Sequence, residues 1–72
     1  MSIGECLKRF RNEFSLNSRQ VATAINIHWQ AYQRYEYDTN IPSAAVLCKL
    51  ADAYNVSIDY LVGRSDNPEI NR

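Results

Sequence analysis

Apolar residues recur at intervals of three and four along most of this chain, and alternation with a period of two persists nowhere. That spacing gathers apolar side chains on one face of a helix and denies a strand its two-sided pattern. Ile3, Leu7, Phe10 and Phe14 form the first stripe, with Ser2 and Glu5 ahead of it as an S-x-x-E capping box. That helix is expected to end near Phe14-Ser15. Asn17 followed by Gln20 is a second N-terminal signature. In the helix over 18–25 that it opens, Val21, Ala22 and Ile25 share one face, and Arg19, Gln20 and Thr23 take another. The pattern breaks at Asn26-Ile27, where Asn tolerates the left-handed backbone of a tight turn. A third helix over 29–37 turns Ala31, Tyr32 and Tyr35 inward and Trp29, Gln30, Gln33, Arg34 and Tyr37 outward. Asp38-Thr39-Asn40 is a turn cluster. Pro42-Ser43 opens a fourth helix, with Val46, Leu47, Leu50, Ala51 and Tyr54 at helical spacing, and Asn55 stops it. Ser57 caps a short fifth helix over 58–62, closed by Gly63. The expected fold is all-α, a compact five-helix domain without a sheet. Leu7, Phe10, Val21, Ala22, Ile25, Tyr32, Leu47, Leu50 and Leu61 are expected in one core.

At 72 residues the chain has room for one small domain, expected over 1–63, and a linker-like tail over 64–72 that includes Asn67-Pro68. No apolar run is long enough to span a bilayer. The first six residues lack the basic and apolar regions of a signal peptide, so a cytoplasmic protein without membrane contact is expected. Cys6 and Cys48 lie far apart, form no CxxC and are expected to be small buried apolar residues. With His28 the single histidine, neither a zinc site nor any other cofactor is expected. No serine, cysteine or histidine grouping supports catalysis, so an enzyme is not expected. The formal net charge is zero, but it is unevenly spread. Lys8, Arg9, Arg11, Arg19 and Arg34 face only Glu5 and Glu13 in residues 1–35, whereas acidic residues dominate 36–72. Such a division fits either a face for an anionic partner or an ordinary scatter of surface charge.

The informative segment is 17–36. Two short amphipathic helices are separated there by three or four residues around Asn26-Ile27-His28, and the outer face of the second is rich in Gln and Arg. That is the layout of a helix-turn-helix, whose second helix enters the major groove. Arg guanidinium and Gln amide groups make paired hydrogen bonds to guanine and adenine edges. Small Ala22 and Ala31 permit close approach where the helices cross.

Here the chain resembles a known family. Leu7-Lys8-Arg9-Phe10-Arg11, Leu16-Asn17, Val21-Ala22, Arg34-Tyr35-Glu36, Pro42-Ser43, Leu47-Cys48-Lys49-Leu50-Ala51 and Val56-Ser57-Ile58-Asp59-Tyr60-Leu61-Val62-Gly63 look like the helix-turn-helix domain of phage repressors and Cro-type regulators. The resemblance runs from Leu7 to Gly63 and implies a lambda-repressor-like fold of five helices, operator DNA as ligand and binding as a homodimer. It also implies an ion pair between Arg11 and Glu36 that ties the reading helix to the scaffold. The chain departs from the family pattern in places: Ser18 stands where Gln is usual, Ser15, Asn26 and Asp38 where Gly is common, His28 where Ser or Thr often caps, and Trp29 where a polar residue is usual.

Gln30, Gln33 and Arg34 are the candidates for base contact, with Gln30 foremost because base contacts come from the N-terminal part of the reading helix. Trp29 has three readings: a DNA contact, an anchor for a protein partner, or packing against the first helix or the turn. Ser18, Arg19 and Asn40 are candidates for phosphate contact, and so is His28, although capping alone explains it first. Ile58 and Tyr60 are expected to supply apolar contact across a dimer interface. The expected function is a sequence-specific DNA-binding transcription regulator, a repressor reading a palindromic operator. The competing reading is a protein-interaction module on the same fold, an antirepressor or DNA-binding antitoxin with a regulatory protein as partner.

Overall fold

The computed structural model describes residues 2–64, and the tail expected to be linker-like lies almost wholly outside them. The described residues form α1 (Ile3–Glu13), α2 (Ser18–Ala24), α3 (Trp29–Glu36), α4 (Ala44–Tyr54) and α5 (Ile58–Leu61). No strand occurs among them. Each helix starts on a side chain that accepts a backbone N–H: Ser2, Asn17, His28, Ser43 and Ser57. Asn17 and Gln20 complete the reciprocal box, each backbone N–H donating to the other's side-chain oxygen at 2.8 Å. These bonds satisfy donors that the first turn of a helix leaves without partners.

The helix ends share one device. After α1, Ser15 N–H donates to the Asn12 carbonyl at 3.1 Å and Leu16 N–H to that of Arg11 at 2.9 Å. The same pair of bonds closes α2, from Asn26 to Thr23 at 3.2 Å and from Ile27 to Ala22 at 3.0 Å, and closes α3, from Asp38 to Tyr35 at 3.3 Å and from Thr39 to Arg34 at 2.9 Å. It needs one residue at positive φ. Ser15, Asn26, Asp38 and Asn55 take that conformation with φ of 54–60°, and Gly63 takes it with φ of 82° after α5. Three of these residues stand where the resembled family often has glycine. After Ser15, Asn26 and Asn55 the next residue turns back onto the core: Leu16 and Ile27 pack against it and Val56 is buried in it, whereas Thr39 and Arg64 stay exposed.

Leu7, Phe10, Val21, Ala22, Ile25, Tyr32, Leu50 and Leu61 sit together in the core, joined by Ala51, Val56 and Tyr60. Two expectations are corrected on α4. Leu47 is half-buried and outside the core cluster, and Cys48 is exposed. The apolar stripe of α4 is wider than its contact, so Leu50 and Ala51 face inward while Leu47 lies at the margin and Cys48 beyond it. Cys6, by contrast, is fully buried.

Gly4 lies against the end of α3. Its N–H donates to Asp38 Oδ1 at 2.9 Å, and a Cβ there would meet the Tyr35 carbonyl at 2.8 Å and press harder still on that of Glu36. The Ser2 hydroxyl and then the Gly4 N–H hold the Asp38 carboxyl below the usual carboxylate range. A group depressed on folding stabilises in its ionised form. The contribution of Asp38 is therefore full above its unfolded value of about 3.9 and fades as pH falls through the lower folded value. In acid unfolding below about pH 4, Asp38→Asn is expected to show a shallower loss of stability than the parent. An unchanged pH profile would remove Asp38 from the account.

A left-handed L-residue costs about 1–2 kcal/mol, and glycine gives back about 0.5–1 kcal/mol of that through the freedom of the unfolded chain. Ser15→Gly is expected to stabilise by roughly 0.5–1 kcal/mol in urea unfolding. Asp38→Gly gains nothing, because it also loses the bond to Gly4. A Ser15→Gly protein no more stable than the parent would count against strain at that cap.

Candidate nucleic-acid interface

α2 and α3 meet at the turn closed by Asn26 and Ile27, and the core holds them by Val21, Ala22, Ile25 and Tyr32. Ala22 is buried and Ala31 half-buried. With Tyr32 turned inward, Gln30 and Arg34 are exposed on the opposite side of α3, and Gln33 is half-buried beside them. Arg19 is exposed near the start of α2, and Ser18 is half-buried. Asn40 is exposed in the loop after α3, where its N–H joins that of Thr39 on the Arg34 carbonyl, at 3.2 and 2.9 Å. No acidic residue occurs between Glu13 and Glu36, while Arg19 and Arg34 both lie there.

His28 caps α3: its Nδ1 accepts the Gln30 N–H at 3.2 Å. The His28 and Trp29 rings stack with centroids 6.1 Å apart. Trp29 was expected to point outward. It is half-buried and packs against the core, and the Arg19 guanidinium lies over its ring at 4.7 Å. At the first position of α3 a ring this large reaches both the core and the side chains of α2.

The far end of α3 is fixed to α1. Arg11 Nε donates to Glu36 Oε2 at 2.7 Å and its Nη2 to Oε1 at 3.1 Å, a bidentate pair. Glu36 is 4% exposed and Arg11 21%. The remaining nitrogen, Nη1, reaches the Leu16 carbonyl at 3.3 Å. The bond to Glu36 raises the Arg11 pKa further, against the opposing effect of burial. The Tyr32 hydroxyl is buried beside this carboxylate, and burial first, its interaction with Glu36 second, pushes its pKa well up.

Sequence reasoning missed two further ties. The Lys8 ammonium sits 5.0 Å from the centroid of the Tyr37 ring, and Gly4 meets Asp38 as described. Gly4, Lys8 and Arg11 follow one another at helical spacing, which was the available signal. Tyr60 needs correction as a dimer residue: it is 1% exposed and belongs to the core. Its hydroxyl donates to Glu13, Arg9 lies 4.8 Å over its ring, and Arg9 Nη2 donates to its carbonyl at 2.8 Å. Burial, with Glu13 second, pushes the Tyr60 hydroxyl up to about 12. Ile58, at 40% exposure, stays on the surface.

Removing one member of a buried ion pair strands the other charge, at a cost of about 3–5 kcal/mol. Arg11→Met is expected to destabilise by that order in urea unfolding, because it leaves Glu36 sealed without its cation. A loss under about 1 kcal/mol, the range of an exposed pair, would show that water reaches the site.

A family model described as helix-turn-helix matches residues 7–61. The chain is 36% identical over 66 residues to the HTH-type transcriptional regulator ImmR of Bacillus subtilis, covering 92% of this chain and 52% of that protein. It is 38% identical over 64 residues to the cryptic phage CTXphi transcriptional repressor RstR of Vibrio cholerae, covering 89% and 57%. A transcriptional regulator from Listeria innocua has a similar crystal structure, with a TM-score of 0.75 and 31% identity over 86% of this chain and 58% of that one. The chain thus spans little more than half the length of these relatives. The matched segment takes in all five helices from within α1 to the end of α5, so the chain belongs to the helix-turn-helix family.

Proposed function

We propose that this chain is a DNA-binding transcription regulator, a repressor that reads a palindromic operator as a homodimer. The observation that carries the reading is the outer face of α3. Gln30 and Arg34 are exposed there with Gln33 at their side, in a stretch of chain that has two arginines and no carboxylate. Polar side chains with paired donors and acceptors, on a helix anchored at both ends, suit the edges of base pairs. Arg19 and Ser18 on one side and Asn40 on the other then flank the groove on the phosphates. His28 acts as a cap, with its free ring edge near the same backbone. The naming of one relative as a phage transcriptional repressor and of another as a transcriptional regulator supports the reading.

One α3 covers few base pairs, so two copies related by a two-fold axis are needed for a useful operator. Ile58, exposed on α5, is the remaining candidate for the apolar contact between copies. Zero net charge fits weak non-specific attachment and leaves specificity to the base contacts.

Selection of bound duplexes from a random pool, followed by gel shift and sedimentation of the complex, tests the reading. The expected result is enrichment of an inverted repeat bound by two copies. On that site Gln30→Ala is expected to lose roughly 1–3 kcal/mol and to relax the preference at one base pair. A chain that enriches no sequence and shifts no duplex even at low salt would move the reading to a protein-interaction module.

A further inference from the structure

Trp29 is the single tryptophan of the chain and stands at the first position of α3. Its ring is half-buried against the core, stacks with His28 on one side and carries the Arg19 guanidinium at 4.7 Å. Arg19 belongs to α2, so this contact crosses the turn between the two helices. No acidic residue between Glu13 and Glu36 is at hand in the sequence to hold that guanidinium by charge. A long arginine side chain on a surface otherwise samples many rotamers. An indole face is the strongest of the aromatic partners for a cation. A guanidinium held over a ring by its central carbon still carries N–H donors around its rim for a phosphate oxygen to approach.

We infer that Trp29 is a positioning residue: its ring holds the Arg19 guanidinium in the geometry that grips a DNA phosphate, and does not itself read a base. The inference rests on the DNA-binding reading above. It explains why a large aromatic is compatible with a position beside the base-reading face. The ring is already engaged by the core, by His28 and by a cation from α2.

The inference predicts that Trp29 and Arg19 act as one unit. The parent, Trp29→Leu, Arg19→Ala and the double variant are titrated with a mixed-sequence DNA duplex over a series of salt concentrations, after thermal melts have compared their folds. Arg19→Ala is expected to lower the slope of log affinity against log salt by about 0.9, the share of one phosphate contact. Trp29→Leu is expected to weaken binding about two- to five-fold at low salt, the fold-change of an exposed cation–π contact, and to lower the slope in the same direction. In the Arg19→Ala background Trp29→Leu should cost nothing more. Trp29→Phe, which keeps a ring, should recover most of the loss, and it carries the test if the leucine variant melts early. Trp29 emission adds a readout without DNA: Arg19→Ala should change it in the free protein. An equal cost of Trp29→Leu in both backgrounds, or a slope that Trp29→Leu leaves unchanged, would overturn the inference while leaving DNA binding in place. Unchanged emission on Arg19→Ala would overturn it as well. A parent that binds no duplex at low salt would fail the DNA-binding reading and the inference with it.

Discussion

A carboxylate as well sealed from water as that of Glu36 is costly to keep charged without a cation bound to it, and much of the domain is arranged to bring one there. Arg11 supplies it from α1, twenty-five residues earlier, through two parallel hydrogen bonds. The same guanidinium holds the Leu16 carbonyl, which belongs to the turn between α1 and α2. One side chain therefore joins the end of α3, the face of α1 and the start of the helix-turn-helix. Gly4 and Lys8 extend the seam along α1, onto Asp38 and Tyr37. The seam needs small bulk at one end and charge at the other, which constrains α1 more tightly than its apolar stripe does.

The helix ends set the angles at which these faces meet. Each left-handed residue reverses the chain, and after Ser15, Asn26 and Asn55 the next side chain is delivered to the core. In the turn between α2 and α3, Ile27 donates its N–H to the Ala22 carbonyl and buries part of its side chain against the same core. The direction of α3 is thereby set by backbone hydrogen bonds as well as by side-chain packing. The cost is conformational strain at residues that are not glycine. Asn26 and Asn55 bear it most easily, since Asn visits the left-handed region with less penalty than other L-residues, and Asp38 recovers part of it through its bond to Gly4.

Much of this was legible in the sequence, because it is local. The caps at Ser2, Asn17, Ser43 and Ser57, the break at Asn26 and the stop at Asn55 are written in residues within four positions of where they act. The Arg11–Glu36 pair was legible only through the resemblance to phage repressors, since nothing local links residues so far apart. The misjudged positions are those where one residue belongs to two environments. Tyr60 reads as a surface apolar group, yet its ring is buried and its hydroxyl meets Glu13. Leu47 continues a stripe that is broader than the surface α4 covers. Gly4 shares a helical face with Lys8 and Arg11, but what that face meets, the Glu36 and Tyr35 carbonyls, appears only when α1 is set against α3.

The two ends of α3 are thus held by different physics. At its C-terminal end the restraint is an ion pair shielded from solvent, backed by a backbone N–H on Asp38, and shielding protects such contacts from salt. At its N-terminal end the restraint is a capping imidazole and an exposed cation resting on an indole, which are weaker and open to water. Gln30 and Arg34 lie between these anchors on the exposed side. A helix fixed in this way has little orientational freedom left to lose when it docks, which reduces the entropic cost of association.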